Sequence, residues 1–177
     1  MAAAPDGYST WLQDQFGDLI DGLELSDLQR RYLRSRWLDQ VAWMERKAGA
    51  CQRRYYVVRL VTVIGAVVVP ALVGLQGLKG DLSDVVTGLA IVISLVVAVA
   101  AAIEQFFQFG ERWHHYRRTV EALKSEGWLF FELTGPYALG SHARAFDAFA
   151  ARVEQIIASD VEAFVTRVTA ERKANEP

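Results

Sequence analysis

Two stretches decide the fold: Leu60–Leu75, LVTVIGAVVVPALVGL, and Val85–Ile103, VVTGLAIVISLVVAVAAAI. The first is apolar except for Thr62, and the second is interrupted only by Thr87 and Ser94. With their flanks they cover 57–78 and 85–107. At ~1.5 Å per residue each crosses a hydrocarbon core of ~30 Å. Two such runs in one chain leave little room for a soluble reading in which both are core helices. Each lies too deep in the chain for a signal peptide, and Met1-Ala2-Ala3-Ala4-Pro5-Asp6 supplies no basic n-region.

The link Lys79-Gly80-Asp81-Leu82-Ser83-Asp84 is short, which predicts an antiparallel two-span hairpin. Gly77 and Gly80 suit the end of the first helix, and Asp81 or Ser83 suits the cap of the second. Arg46, Lys47, Arg53, Arg54 and Arg59 precede the first span, and Arg112, Arg117, Arg118 and Lys124 follow the second. The link offers Lys79 alone. The positive-inside rule then predicts a multi-pass protein of the inner (plasma) membrane with both termini in the cytoplasm.

The 177 residues fit one domain, 1–177, with cytoplasmic helical parts at 8–56 and 108–173. Hydrophobic residues make up 52% and charged residues 23%, but the charge is concentrated outside the spans. A net charge of -2 argues against a nucleic-acid partner. A single cysteine, Cys51, excludes an internal disulfide and a Cys-based zinc site.

The helices are predicted to run on past the bilayer. Trp37, Val41, Met44, Ala48, Cys51, Tyr55 and Val58 alternate by four and three, and so do Phe106, Phe109, Trp113, Tyr116, Val120, Leu123, Gly127 and Phe130. A continuous helix from Ser26 to Leu78 would measure ~80 Å. Thr134-Gly135-Pro136 ends the long helix that follows the second span, and Ser141 caps a last amphipathic helix with Phe146, Phe149, Val153, Ile156, Phe164 and Val168 on one stripe. Trp11, Leu12, Phe16, Leu19, Ile20 and Leu23 form an amphipathic front helix, and Ala170–Pro177 reads as a frayed tail.

Chemistry-bearing patterns are sparse. The chain has no glycine-rich phosphate loop, no His-Glu-x-x-His and no nucleophile elbow, so no enzyme, no cofactor and no metal are expected. His114 and His115 point ~100° apart on a helix, which suits an interfacial pair better than a metal site. Pro70 reads as kinked packing or as a gating hinge. Ala90, Ser94, Ala98 and Ala102 put small residues at four-residue spacing, either against the first span or at a subunit interface. Glu104, Gln108 and Glu111 fall on one face of a continuous helix. Glu104 either pairs with Arg59 at the same depth, or simply snorkels, or, in an oligomer, forms with Gln108 a ring at the inner mouth of a cation path. Thr87 and Ser94 are further polar points in the span. The basic residues beside the spans also suit anionic lipid, at ~1 kcal/mol each.

The stretch Arg36-Trp37, Gln40, Trp43, Lys47-Ala48, Tyr56 and Arg59 precedes the apolar hairpin. Trp113-x-x-Tyr116-Arg117, Glu121-x-Leu123-Lys124-x-Glu126 and Gly135-Pro136-Tyr137 follow it. Together they resemble the SLATT domain, the SMODS and SLOG-associating two-transmembrane effector domain, over roughly Leu28 to Val168. The resemblance implies two membrane helices with cytoplasmic helical extensions. It also implies a pore-forming effector of a bacterial conflict system that answers a cytoplasmic sensor protein or a nucleotide signal.

The expected function is an oligomeric ion channel or pore-forming effector, cation-conducting and gated from its cytoplasmic helices. Two spans do not enclose a water path alone, so a homo-oligomer in contact with membrane lipid is expected. The alternative is a membrane-anchored helical scaffold that binds a cytoplasmic protein and conducts nothing.

Overall fold

The computed structural model of the protein describes residues 5–75, 82–138 and 140–174. Among the described residues there are helices and turns and no strand. The order is α1 (Pro5–Asp21), α2 (Asp27–Tyr32), a π-helical turn (Leu33–Leu38), α3 (Asp39–Leu75), α4 (Leu82–Phe107), α5 (Phe109–Phe131), a 3-10 turn (Gly135–Tyr137) and α6 (His142–Ala174). The chain divides into two compact units, Met1–Ala48 with His114–Pro177, and Gly49–Trp113. Gly77, Gly80 and Asp81, the expected turn and cap positions, lie outside the described residues. Ser83 stands inside α4 rather than capping it.

The first unit is a water-type core. Leu12, Phe16 and Ile20 of α1 recur every fourth residue and are buried. Val120, Leu123 and Phe130 of α5 and Phe149 and Val153 of α6 join them. Burying each such side chain is worth ~1.5–3 kcal/mol. Phe146 and Ile156 pack at the edge of this core. The Phe164 and Val168 side chains of the expected stripe lie outside the described residues, and the backbone of α6 continues to Ala174 past the expected start of a frayed tail.

Local chemistry sets the ends of these helices. Ser26 and Gln29 form a reciprocal capping box: Gln29 N–H donates to Ser26 Oγ at 3.3 Å, and Ser26 N–H donates to Gln29 Oε1 at 3.0 Å. The helix begun there is not uniform, as a continuous Ser26–Leu78 helix requires. At Leu33–Leu38 it widens into a π-turn in which Asp39 N–H reaches back to Arg34 C=O. The wider turn carries Leu33, Trp37 and Leu38 inward together. At the far end, α5 stops short of the expected Gly135, at Phe131. Leu133 takes a left-handed φ of 49°, and Thr134 N–H bonds Leu129 C=O at 3.0 Å while Leu133 N–H bonds Phe130 C=O at 3.2 Å. Ser141 caps α6 as expected, with its Oγ accepting from Arg144 N–H at 3.4 Å.

Trp37 is the centre of this unit. It is fully buried, and its indole N–H donates to Leu123 C=O at 3.0 Å. The ring lies on Gly127, where an added Cβ would meet Trp37 Cζ2 at 2.2 Å. A mid-helix glycine costs ~1 kcal/mol against alanine. Here it opens the seat for the indole.

The second unit inverts this pattern. α3 beyond Gly49 packs on α4 where Gly65 meets Val97, and a Cβ at Gly65 would come within 2.0 Å of Val97 Cγ2. Val57 and Val61 share an aliphatic cleft of about 380 Å³ with Leu95, Val99 and Ile103. Elsewhere the apolar surface is open. The most apolar windows of the two candidate spans reach mean hydropathy 2.3 and 2.7, yet only 6% of each is buried. Both helices are long and apolar enough to cross a membrane, and a soluble core helix of that composition would be covered.

The second expected helix is also broken. α4 ends at Phe107, Gln108 adopts a left-handed φ of 49°, and α5 begins at Phe109. The seam loses its phase there: Phe106 is 80% exposed, whereas Phe109 is buried. Gly110 lies against Tyr55, a Cβ at Gly110 being 2.9 Å from Tyr55 Cε2.

Candidate functional site

The polar residues singled out in the spans satisfy themselves locally. Thr87 Oγ1 donates to Ser83 C=O at 2.8 Å, and Ser94 Oγ donates to Ala90 C=O at 2.7 Å. Thr62 Oγ1 does the same with Val58 C=O at 3.0 Å. This back-bonding removes the cost of an orphan hydroxyl on an apolar helix. Pro70 is exposed and lies within α3, which runs through it.

Glu104, Gln108 and Glu111 do not share a helix face. Glu104 is in the last turn of α4, Gln108 is the left-handed residue at the break, and Glu111 is exposed in the first turn of α5. Glu104 Oε1 accepts from Gly110 N–H at 3.4 Å, so the carboxylate faces the start of α5. A helix N-terminus has unsatisfied N–H groups and a partial positive charge, which favour an anion there. Glu104 Oε2 is buried and has no hydrogen-bond partner among the described residues. The expected Arg59–Glu104 pair does not form: Arg59 is exposed and in no ion pair among the described residues, because Glu104 is turned to α5 instead.

Of the small-residue row, Ala90 is buried while Ser94, Ala98 and Ala102 are exposed. The side of α4 that meets α3 is carried by Val97 and Ala100 instead.

The first unit holds polar clusters that the sequence does not announce. Glu45, 8% exposed, takes Arg117 at 2.7 Å on Oε1 and Lys124 at 3.2 Å on Oε2. Glu121 closes the square at 3.0 Å from Arg117 and 2.8 Å from Lys124. Arg36 grips Glu154 with two hydrogen bonds, Nε at 2.8 Å and Nη2 at 2.6 Å, and Tyr32 OH donates to the same carboxylate at 2.9 Å. The Arg36 fork, helped by Tyr32, holds the Glu154 carboxyl below its ordinary range. Burial, then the Glu154 carboxylate, pushes the Tyr32 phenol up. Tyr137 OH donates to Glu126 in a short hydrogen bond, and burial followed by that carboxylate raises the Tyr137 phenol likewise.

His115 has a partner that its position in the sequence conceals. Its Nε2 lies 3.0 Å from Asp160 Oδ1, and Thr119 Oγ1 donates to the same oxygen at 2.6 Å. Among the described residues no three His, Cys, Asp or Glu side chains converge as a metal site.

The letters quoted for the resemblance are therefore largely the letters that hold the first unit together: Arg36, Trp37, Tyr116, Arg117, Leu123, Lys124, Glu126 and Tyr137 all make contacts across helices. No curated protein and no solved structure matches the chain. One family does match, over residues 39–145, from the start of α3 into the first turn of α6. The chain belongs to that family, described as Protein of unknown function (DUF4231).

Proposed function

We propose that the protein is a homo-oligomeric integral membrane channel or pore-forming effector of the inner membrane. Its second unit spans the bilayer as an antiparallel hairpin, and its first unit lies in the cytoplasm with both termini. The observation that carries this reading is the exposed apolar surface of α3 and α4, 6% buried in each window, with Ser94, Ala98 and Ala102 left open on α4. In lipid an open small-residue face favours close approach of another helix. The pairings of Gly65 with Val97 and of Tyr55 with Gly110 support the hairpin, since one number falls as the other rises. The resemblance to SLATT domains supports the effector role.

α4 is joined to α5 through Gln108, so movement of α5 reaches the span through that residue and through the Glu104–Gly110 contact. We assign the gate to this joint and the charge at the mouth of the path to Glu104. Gln108 and Glu111 stand beside it, and Thr87 and Ser94 are polar points further in.

Native mass spectrometry of the protein in lipid nanodiscs tests the reading without knowledge of the activating signal. A single closed ring of several copies is expected. A monomer or dimer at all concentrations would leave no room for a path between subunits and would favour the scaffold reading, which the open aromatic surface of the first unit supports. In a conducting ring, Glu104→Gln is expected to change the cation-to-anion permeability ratio. Unchanged selectivity would remove Glu104 from the mouth.

A further inference from the structure

We infer that the groove between α1 and α5 of the first unit docks a basic amphipathic helix of a partner protein. This inference goes beyond the channel reading and holds whether or not the protein conducts ions.

The groove has a volume of about 910 Å³ and two helical walls. Tyr8, Trp11, Gln15 and Leu19 line it from α1, and Glu121, Ser125, Trp128 and Glu132 from α5. Both sets keep the three- and four-residue spacing of one helix face, and each wall extends for ~16 Å, about three turns. A channel between two helix faces of that length matches a third helix lying along it.

Its surface is apolar and open. Trp11 is 53% exposed, Trp128 49%, Leu19 39% and Tyr8 37%. The core already takes Leu12, Phe16 and Ile20 from α1, so Trp11 and Leu19 are apolar surface that the unit itself does not use.

The charge selects the partner. Asp18, Glu121 and Glu132 line the groove, and Asp18 and Glu132 are in no ion pair among the described residues. Among the described residues Lys124 is the one basic residue of the lining, and it is held by Glu45 at 3.2 Å and Glu121 at 2.8 Å. A phosphate would meet unpaired carboxylates and, among the described residues, no free cation. A cation would meet carboxylates and ring faces. The wall already holds one such contact, the Lys124 ammonium 5.9 Å from the Tyr8 ring centre.

The test uses the full-length protein in nanodiscs of neutral phosphatidylcholine and a labelled synthetic helical peptide. The peptide carries leucines at i, i+3, i+4 and i+7 with lysines beside the stripe. One control keeps its composition in scrambled order, and another replaces every lysine with glutamate. The stripe peptide is expected to bind at least about tenfold more tightly than either control, after subtraction of empty discs. Asp18→Lys combined with Glu132→Lys, and separately Trp128→Ser, should each weaken it by about tenfold or more with an unchanged circular dichroism spectrum. Equal binding of the scrambled isomer, or of both variants, overturns the inference. So does cross-linking of Trp128→Cys between two copies of this chain, which would assign the groove to self-association.

Discussion

The two units solve opposite problems with the same residue types. In the first, several arginines are anchored: Arg34 on Asp21 at 2.5 Å, Arg36 on Glu154 at 2.6 Å, Arg117 on Glu45 at 2.7 Å. In the second, Arg53, Arg54, Arg59 and Arg112 are exposed and in no ion pair among the described residues; Arg54 lies only over the Phe109 ring, at 5.9 Å. Aromatic residues divide less sharply, since Trp11 and Trp128 of the first unit are exposed as well. Trp37 and Phe149 are sealed in a core, whereas Phe106 stands 80% exposed. The first unit is organised by its own interior. The second leaves its apolar surface and its cations for whatever surrounds it.

Equal truncations in the two units are expected to have very unequal costs. Trp37→Ala removes a buried ring and a buried hydrogen bond and is expected to destabilise the first unit by ~3–5 kcal/mol in denaturant unfolding. Ile91→Ala, on a residue 64% exposed in α4, should change stability in detergent by under about 0.5 kcal/mol. Similar losses from both would mean that α4 is covered. Next in size is Glu45→Ala, which strips one partner each from Arg117 and the nearly buried Lys124. We expect a loss of about 2–3 kcal/mol, less than for a fully orphaned charge because Glu121 remains. A neutral result would show that the square is not part of what holds the unit.

The second unit's cations give a third test. Arg53→Gln with Arg54→Gln should leave unfolding unchanged and weaken association with anionic over neutral lipid by ~1 kcal/mol per residue. Loss of stability instead would mean that these side chains do have partners. The smallest effect is on pH. The folded-state pKa of Glu154 is lowered, so its contribution is present above the unfolded carboxylate value of ~4.3 and fades as pH falls through the lower folded value. The pair is half-exposed, so solvent screening keeps this below about 1 kcal/mol. Arg36→Gln should flatten that acid limb. The raised phenols of Tyr32 and Tyr137 act on the other side: their contribution is lost as pH rises above ~10, and Tyr137→Phe should blunt that loss.

Much of the architecture was legible because it is written in spacing. The apolar runs, the Trp37–Val41–Met44–Ala48 seam and the Ser141 cap depend on neighbours within a few turns, and the structure has them in place. The two interruptions were not legible. Neither the π-turn at Leu33–Leu38 nor the break at Gln108 sits on a proline or glycine, so neither carries a local sequence signal. The break undid the shared face of Glu104, Gln108 and Glu111, since one left-handed residue resets the helical phase. The ion pairs were hidden for a simpler reason. Lys124 and Glu45 are 79 residues apart, and Arg36 and Glu154 are 118 apart, so only the folded chain introduces them.

The indole of Trp37 seated on Gly127 has a mechanical consequence. There is no space at that seat for a single methyl group, and the ring is also tethered to the Leu123 carbonyl one turn away. It works as a dowel through two helices. Neither the segment bearing Trp37 nor α5 can ratchet by one residue without expelling the ring, so the two must shift as one body.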